Sequence, residues 1–206
     1  METVHNATTD VLLAGVGGQG TILAGKVLAR AAQLAGRDVK VSEVHGMAQR
    51  GGSVVTQVRF GPSVRSPLIA FADVLVAFEQ LEGLRWLPRL KAGATVILNR
   101  QTIYPLPVLT GAAAYPQDIP ATVRARGFRT LVVDGPALAA QAGSAKAVNM
   151  VLVGALAAEL DLPGEAWSRA LEELVPAAYR EINLTAFDLG RAAAGRGPGA
   201  GTVPVS

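Results

Sequence analysis

Apolar positions along this chain switch repeatedly between short unbroken runs and helical spacing, the signature of strands alternating with helices. Val11 to Ala14 is apolar throughout and stops at a glycine, as a strand buried on both faces does. Between Thr21 and Ala35 the residues Ile22, Leu23, Val27, Leu28, Ala31 and Leu34 return every few positions and predict a helix with one buried side. Gly36 stands where a left-handed cap ends such a helix, and Asp38 to Val44 predicts the second strand. From Ser53 to Phe60 the pattern alternates. Val54, Thr56, Val58 and Phe60 share one side and Ser53, Gln57 and Arg59 the other, so a half-exposed strand is expected, closed by Gly61-Pro62.

Further strands are predicted at Val74 to Phe78, Thr95 to Leu98 and Thr130 to Val133. Helices are predicted around Leu81 to Leu90, Ala137 to Ala142, Ala145 to Leu160 and Glu165 to Leu174. Pro105, Pro107, Pro116 and Pro120 make residues 102–121 irregular, and the Gly/Pro-rich chain beyond residue 190 reads as a flexible tail. The expected class is α/β, a three-layer sandwich around a mostly parallel sheet with a Rossmann-like β-loop-α start. One domain is expected over residues 1–190, with the tail at 191–206. The pattern leaves strand order open.

Half of the 206 residues are apolar, enough for a domain that hides about 70% of its unfolded surface. The net charge of +3 arises from scattered residues, without any Lys/Arg run, which argues against nucleic-acid binding. There is no cysteine, so this chain holds neither a disulfide nor a thiolate-ligated iron–sulfur cluster, and such chemistry would sit on a partner. The opening METVHNATTD lacks the basic and apolar regions of a secretory signal, and a cytoplasmic location is expected. The apolar stretch from Val148 falls short of the roughly 20 residues that cross a bilayer, so no membrane span is expected.

Two glycine-bearing segments follow strand-like runs in the first quarter of the chain. In GVGGQG, the glycines Gly15, Gly17 and Gly20 satisfy GxGxxG: a tight strand exit, a backbone that a ligand can touch at a position of positive φ, and close helix–strand packing. Gly18 and Gln19 lie between them, Gln19 as a directional amide. The helix start beyond them favours phosphate or carboxylate. In the second segment, Arg50 offers a fork of donors, Gly51-Gly52 an anion-binding concavity, Met47 a pliable apolar contact, and Gln49 and Ser53 polar flanks. His45 either exchanges protons or makes a structural hydrogen bond; with no second histidine or cysteine nearby it forms no metal site. Glu43 stands about where a dinucleotide fold offers a carboxylate to a ribose hydroxyl, which makes NAD a rival ligand. Each feature also has a plain structural reading: a crowded turn, an ion pair, a loop that bends the chain.

The strings VLLAGVGGQGTILAGKVLARAA, VSEVHGMAQRGGSVVTQVRFG and ADVLVAFEQLEGLRWLPRLKAGATVILN, continued by AKAVNMVLVGALAA and INLTAFDLG, resemble the gamma-type component of 2-oxoacid:ferredoxin oxidoreductases over about residues 10–190. Within that family the HGMAQRGGSV segment is most similar to the beta subunit of the indolepyruvate branch. The resemblance implies the small subunit of a complex that decarboxylates a 2-oxoacid on thiamine diphosphate, sends electrons through iron–sulfur clusters to ferredoxin and releases an acyl-CoA. It implies that diphosphate and clusters reside on a larger alpha subunit, with coenzyme A as a shared ligand and no activity in the isolated small chain. Gly15, Gly17, Gly18, Gln19 and Gly20, together with Gln49, Arg50, Gly51, Gly52 and Ser53, would then face the shared cleft. Arg50 would meet an anion or pair with a nearby acid to fix its loop. Asn149 would hydrogen-bond a loop from behind, and Met150 would pack in the core. No catalytic residue is assigned. A free-standing nucleotide binder of the NAD type and a scaffold whose glycine loops serve assembly are the rival readings.

Overall fold

The computed structural model describes residues 8–45 and 52–195. Six strands occur where the apolar runs predict them: β1 Thr9–Val16, β2 Asp38–His45, β3 Ser53–Gly61, β4 Ala72–Ala77, β5 Leu90–Asn99 and β6 Arg129–Val133. The helices are α1 Thr21–Leu34, α2 Gln80–Trp86, the single turn α3 Leu106–Leu109, α4 Ile119–Ala125, α5 Gly135–Gln141, α6 Val148–Ala157, α7 Gly164–Leu174 and α8 Arg180–Gly195. The strand order is β2-β3-β1-β4-β5-β6. Only β3 runs antiparallel to its neighbours, so the sheet is mixed but mostly parallel.

Alternation along β1 builds the three layers. Val11 and Leu13 join one core with α1, α6, α7 and α8, whereas Leu12 and Ala14 join a second core with α4 on the opposite face. A run apolar at every position is what a strand covered on both faces requires. Gly36 ends α1 as expected, at φ 74°, with its N–H donating to the carbonyl of Gln33.

The half-exposed strand expected at 53–60 is instead interior. The chain leaves β2, reverses and inserts β3 between β2 and β1, so Thr56 and Gln57 are both buried. Gln57 Oε1 accepts from the Ile69 amide, and Ile69 closes that face. On the other face α1 approaches closely enough that a Cβ on Gly25 would lie 2.4 Å from Thr56 Cγ2.

Other expectations shift at their borders. The helix predicted to Leu90 ends at Trp86, a 3-10 turn spans Leu87–Arg89, and β5 already begins at Leu90. Residues 102–121 contain α3 and the start of α4, with Pro107 and Pro120 sitting where a first helical turn accepts proline. Residues 190–195, read as part of the tail, instead continue α8, which runs to Gly195. Gly190 is a contact, not a breaker: a Cβ there would lie 1.9 Å from the Val151 carbonyl oxygen, and one on Gly154 equally close to that of Phe187. Two helices crossing backbone to backbone need the smallest side chain at the crossing. No helix among the described residues is long and apolar enough to cross a membrane.

Candidate functional site

Because β3 is antiparallel, both glycine segments open at one edge of the sheet, the carboxyl ends of β1, β4 and β5. Register places Val16 opposite Ser53, and the Gly17 amide donates to the Gly52 carbonyl at 3.0 Å. The two segments are thus stitched together at their bases. Ser53 is held further: its hydroxyl donates to Glu82 Oε2 at 2.6 Å, and the buried Glu82 also accepts from Arg85 Nη1 at 2.6 Å. Ser53 therefore anchors the base of the second segment to α2. Gln49, Arg50 and Gly51 lie outside the described residues, as does Met47, while His45 ends β2 opposite Val54.

The first loop is set by internal bonds. Left-handed backbone falls on Gly18, at φ 97°, and on Gly20, at φ 78°, rather than on Gly17. Gly15 is crowded, for a Cβ there would come within 2.9 Å of both Phe78 and Thr21 side chains. Gln19 turns inward: Oε1 accepts from the Val16 amide at 2.7 Å, and Nε2 donates to the Phe78 carbonyl and to Gln101 Oε1. Its amide ties the ends of β1, β4 and β5 together, and the residue also lines the crevice described below. Asn99, fully buried, repeats the motif, donating to Phe78 O and Gln101 Oε1 while accepting from the Gly135 amide. Asn149 does stand behind the loop, but as packing. Its Nδ2 occupies the space a Cβ on Gly20 would need, 2.6 Å away, and its Oδ1 accepts from the Met150 amide. Met150 is in the core, as expected.

A second buried carboxylate organises the ground beside the loop. Glu79 Oε2 caps α2 through the Glu82 amide at 3.0 Å, and Glu79 Oε1 accepts from the Ile103 amide and the Tyr115 hydroxyl. Burial first, then the bond to Glu79, pushes the Tyr115 phenol above the usual tyrosine range, so it remains a donor.

Gly18, Gln19, Gln101, Ala145, Lys146 and Val148 line a crevice of ≈ 420 Å³. It lies outside the carboxyl ends of parallel strands, where open α/β sheets take their ligands. Lys146 also borders an adjoining apolar groove of ≈ 320 Å³ that includes Leu23, Val175 and Tyr179. Backbone amides, the amino end of α1 and one ammonium suit an anionic guest. Lys146, Gln101, Asn99 and the two glutamates had no motif to announce them. The available signals were polar residues ending apolar strands, Asn99 after VIL and Glu79 after VAF, and a lysine just ahead of an apolar helix. Among the described residues no cluster of three or more His, Cys, Asp or Glu can hold a metal.

Glu43 does not serve the crevice. A dinucleotide fold needs β2 beside β1, but here β3 intervenes, which puts β2 about 10 Å from β1 at the usual strand spacing. Glu43 instead borders a shallow hollow with Lys26, Ala29, Arg30 and Gln33 along the body of α1. The NAD geometry is therefore lost.

Fold and site together define a Rossmann-like α/β component whose first glycine loop borders an anion-friendly crevice, distinct from a dinucleotide dehydrogenase. Residues 10–193 match the family described as pyruvate ferredoxin/flavodoxin oxidoreductase, and the chain belongs to that family. It is 39% identical over 192 residues to the indolepyruvate oxidoreductase subunit IorB of Pyrococcus horikoshii, covering 90% of this chain and 95% of that one. The IorB subunit of Archaeoglobus fulgidus is 40% identical over 187 residues, covering 88% and 92% of the two chains. The gamma subunit of a keto/oxoacid ferredoxin oxidoreductase from Geobacter sulfurreducens shares the fold, with TM-score 0.71 and 25% identity over 91% of this chain and 99% of that one. This protein is accordingly an oxidoreductase subunit.

Proposed function

We propose that this chain is the small subunit of a cytoplasmic indolepyruvate, or more broadly arylpyruvate, ferredoxin oxidoreductase, and that its two glycine segments wall the active-site cleft of a larger subunit. The observation that supports the reading is the Gly17–Gly52 backbone bond, which ties the base of the second segment to the first glycine loop, whose Gly18 and Gln19 line the crevice at Lys146. The named relatives favour the arylpyruvate branch. Thiamine diphosphate on the larger subunit supplies the carbanion stabilisation that decarboxylation needs. With no cysteine in this chain, the iron–sulfur clusters also fall to the partner.

The residues here bind, orient and exclude water. Backbone amides at the start of α1 and the Lys146 ammonium fit an anionic portion of coenzyme A, and Arg50 would add a two-pronged contact to its phosphates or to the substrate carboxylate. Gln49, Gly51, Gly52 and Ser53 would hold Arg50 in place. Gln19 and Asn99 keep the strand ends fixed beneath.

The test is co-expression with the larger subunit, followed by reduction of a low-potential dye by a panel of 2-oxoacids with and without coenzyme A. Arylpyruvates should reduce the dye best and need coenzyme A for full turnover. Arg50→Ala should leave assembly and unfolding unchanged while lowering kcat/KM. Preference for 2-oxoglutarate would move the chain to another branch, and stabilisation by NAD without dye reduction would overturn the reading.

A further inference from the structure

The 17 residues from Gln101 to Gln117 carry no charged side chain, in a chain that is 17% charged overall. They rise from the carboxyl end of β5 as a projecting arm, with Tyr104, Leu106 and Leu109 exposed by 53%, 71% and 68%. An exposed uncharged arm could be a loose loop, but this one is braced. Both of its feet are bonded to one oxygen of the buried Glu79: the Ile103 amide at 3.2 Å and the Tyr115 hydroxyl at 2.5 Å. Across the base, the rings of Tyr104 and Tyr115 meet edge to face with centroids 5.3 Å apart. At the tip, α3 is closed by Thr110, whose hydroxyl donates to the Leu106 carbonyl, and by the Ala113 amide donating to that of Pro107.

We infer that this arm is a preformed apolar prong that docks into an apolar socket on the larger subunit of the same complex. The inference rests on the small-subunit reading above. Continuity argues for that occupant. Gln101, at the root of the prong, lines the crevice and accepts from Gln19 of the first glycine loop, so a subunit that covers the crevice lies alongside the prong. Chemistry argues for the kind of contact. With no charge between residues 101 and 117, the surface gains from water exclusion rather than from ion pairing, and leucines at a tip bind best in a desolvated pocket. Rigidity argues for its purpose. A buried carboxylate spent on pinning both feet removes the ordering cost that a mobile loop would carry into an interface.

The test is the affinity between the full chain and the purified larger subunit, measured by sedimentation, for the wild type, Leu106→Asp/Leu109→Asp and Leu106→Met/Leu109→Met. The Asp pair should bind about 100-fold more weakly, the Met pair about as well as wild type, and the free Asp variant should unfold at the wild-type temperature. Complexes saturated with the Asp variant should turn over at the wild-type kcat, because the prong assembles the site and takes no part in the chemistry. Tyr115→Phe, which frees one foot, should slow association more than it speeds dissociation. Wild-type affinity in the Asp variant would overturn the prong while leaving the subunit reading intact. A wild-type chain that never binds the larger subunit would overturn both, and loss confined to self-association would make a second copy the occupant instead.

Discussion

The two ends of this sheet are finished in different chemistry. At the carboxyl edge the polar groups are amides and buried carboxylates that bond to backbone: Gln19 and Asn99 to Phe78 O, and Glu79 to the amides of Glu82 and Ile103. At the amino edge they are charged side chains that pair with one another and also bond backbone: Asp73 Oδ2 accepts from the Asp10 amide at 2.9 Å, and Arg59 Nη1 donates to the Leu68 carbonyl. Asp10 is flanked by Arg59 Nε at 2.7 Å, a charge contact rather than a linear hydrogen bond, and Lys91 sits 2.8 Å from Asp73. The first arrangement holds main-chain atoms through amides and buried carboxylates; the second adds partly exposed ion pairs to its main-chain bonds. A buried polar group that loses its partner costs about 1 to 3 kcal/mol, whereas an exposed ion pair contributes about 0 to 1. The edge that carries the site is therefore the one that relies on amides and buried carboxylates more than on partly exposed ion pairs.

Substitutions should expose that difference, most at the first loop. Gly20→Val adds a side chain at φ 78° and against Asn149, so left-handed strain and overpacking together should remove about 3 kcal/mol of stability in urea unfolding. Unchanged stability would mean that the turn is not the crowded one described. Ser53→Ala should cost less, about 1 to 2 kcal/mol, because it leaves the buried Glu82 with Arg85 alone. In the assembled complex it should lower kcat/KM further than its stability loss explains, through a displaced second segment, and Ser53→Thr should restore part of it. Proportional losses in both quantities would reduce Ser53 to simple packing. The smallest effect belongs to the amino edge: Lys91→Met should change stability by no more than about 1 kcal/mol, less in high salt, and leave complex turnover untouched. A turnover defect there would erase the contrast between the edges.

Much of this was legible in the chain. All six strands and the β-loop-α opening follow from runs, periods and glycines that act over a few residues. The tail boundary failed for an instructive reason. Gly190 reads locally as a helix breaker, and only its contact with the Val151 carbonyl explains a glycine inside α8. Gln19 reads as an outward donor until Phe78 and Gln101, 59 and 82 residues away, claim its amide.

By itself, then, the sequence determined which segments become strands and helices, the presence of two glycine turns, and the lack of any thiol for cluster ligation, because each depends on neighbours along the chain or on composition alone. Tertiary structure decided the insertion of β3 between β1 and β2, which removes Glu43 from a nucleotide's reach, and the clasp of Gly17 on Gly52. It also decided that Glu79 holds both feet of an apolar arm. These rest on bonds between residues far apart in the chain, whose pairing is selected by the packing of the whole sheet and not by any local period.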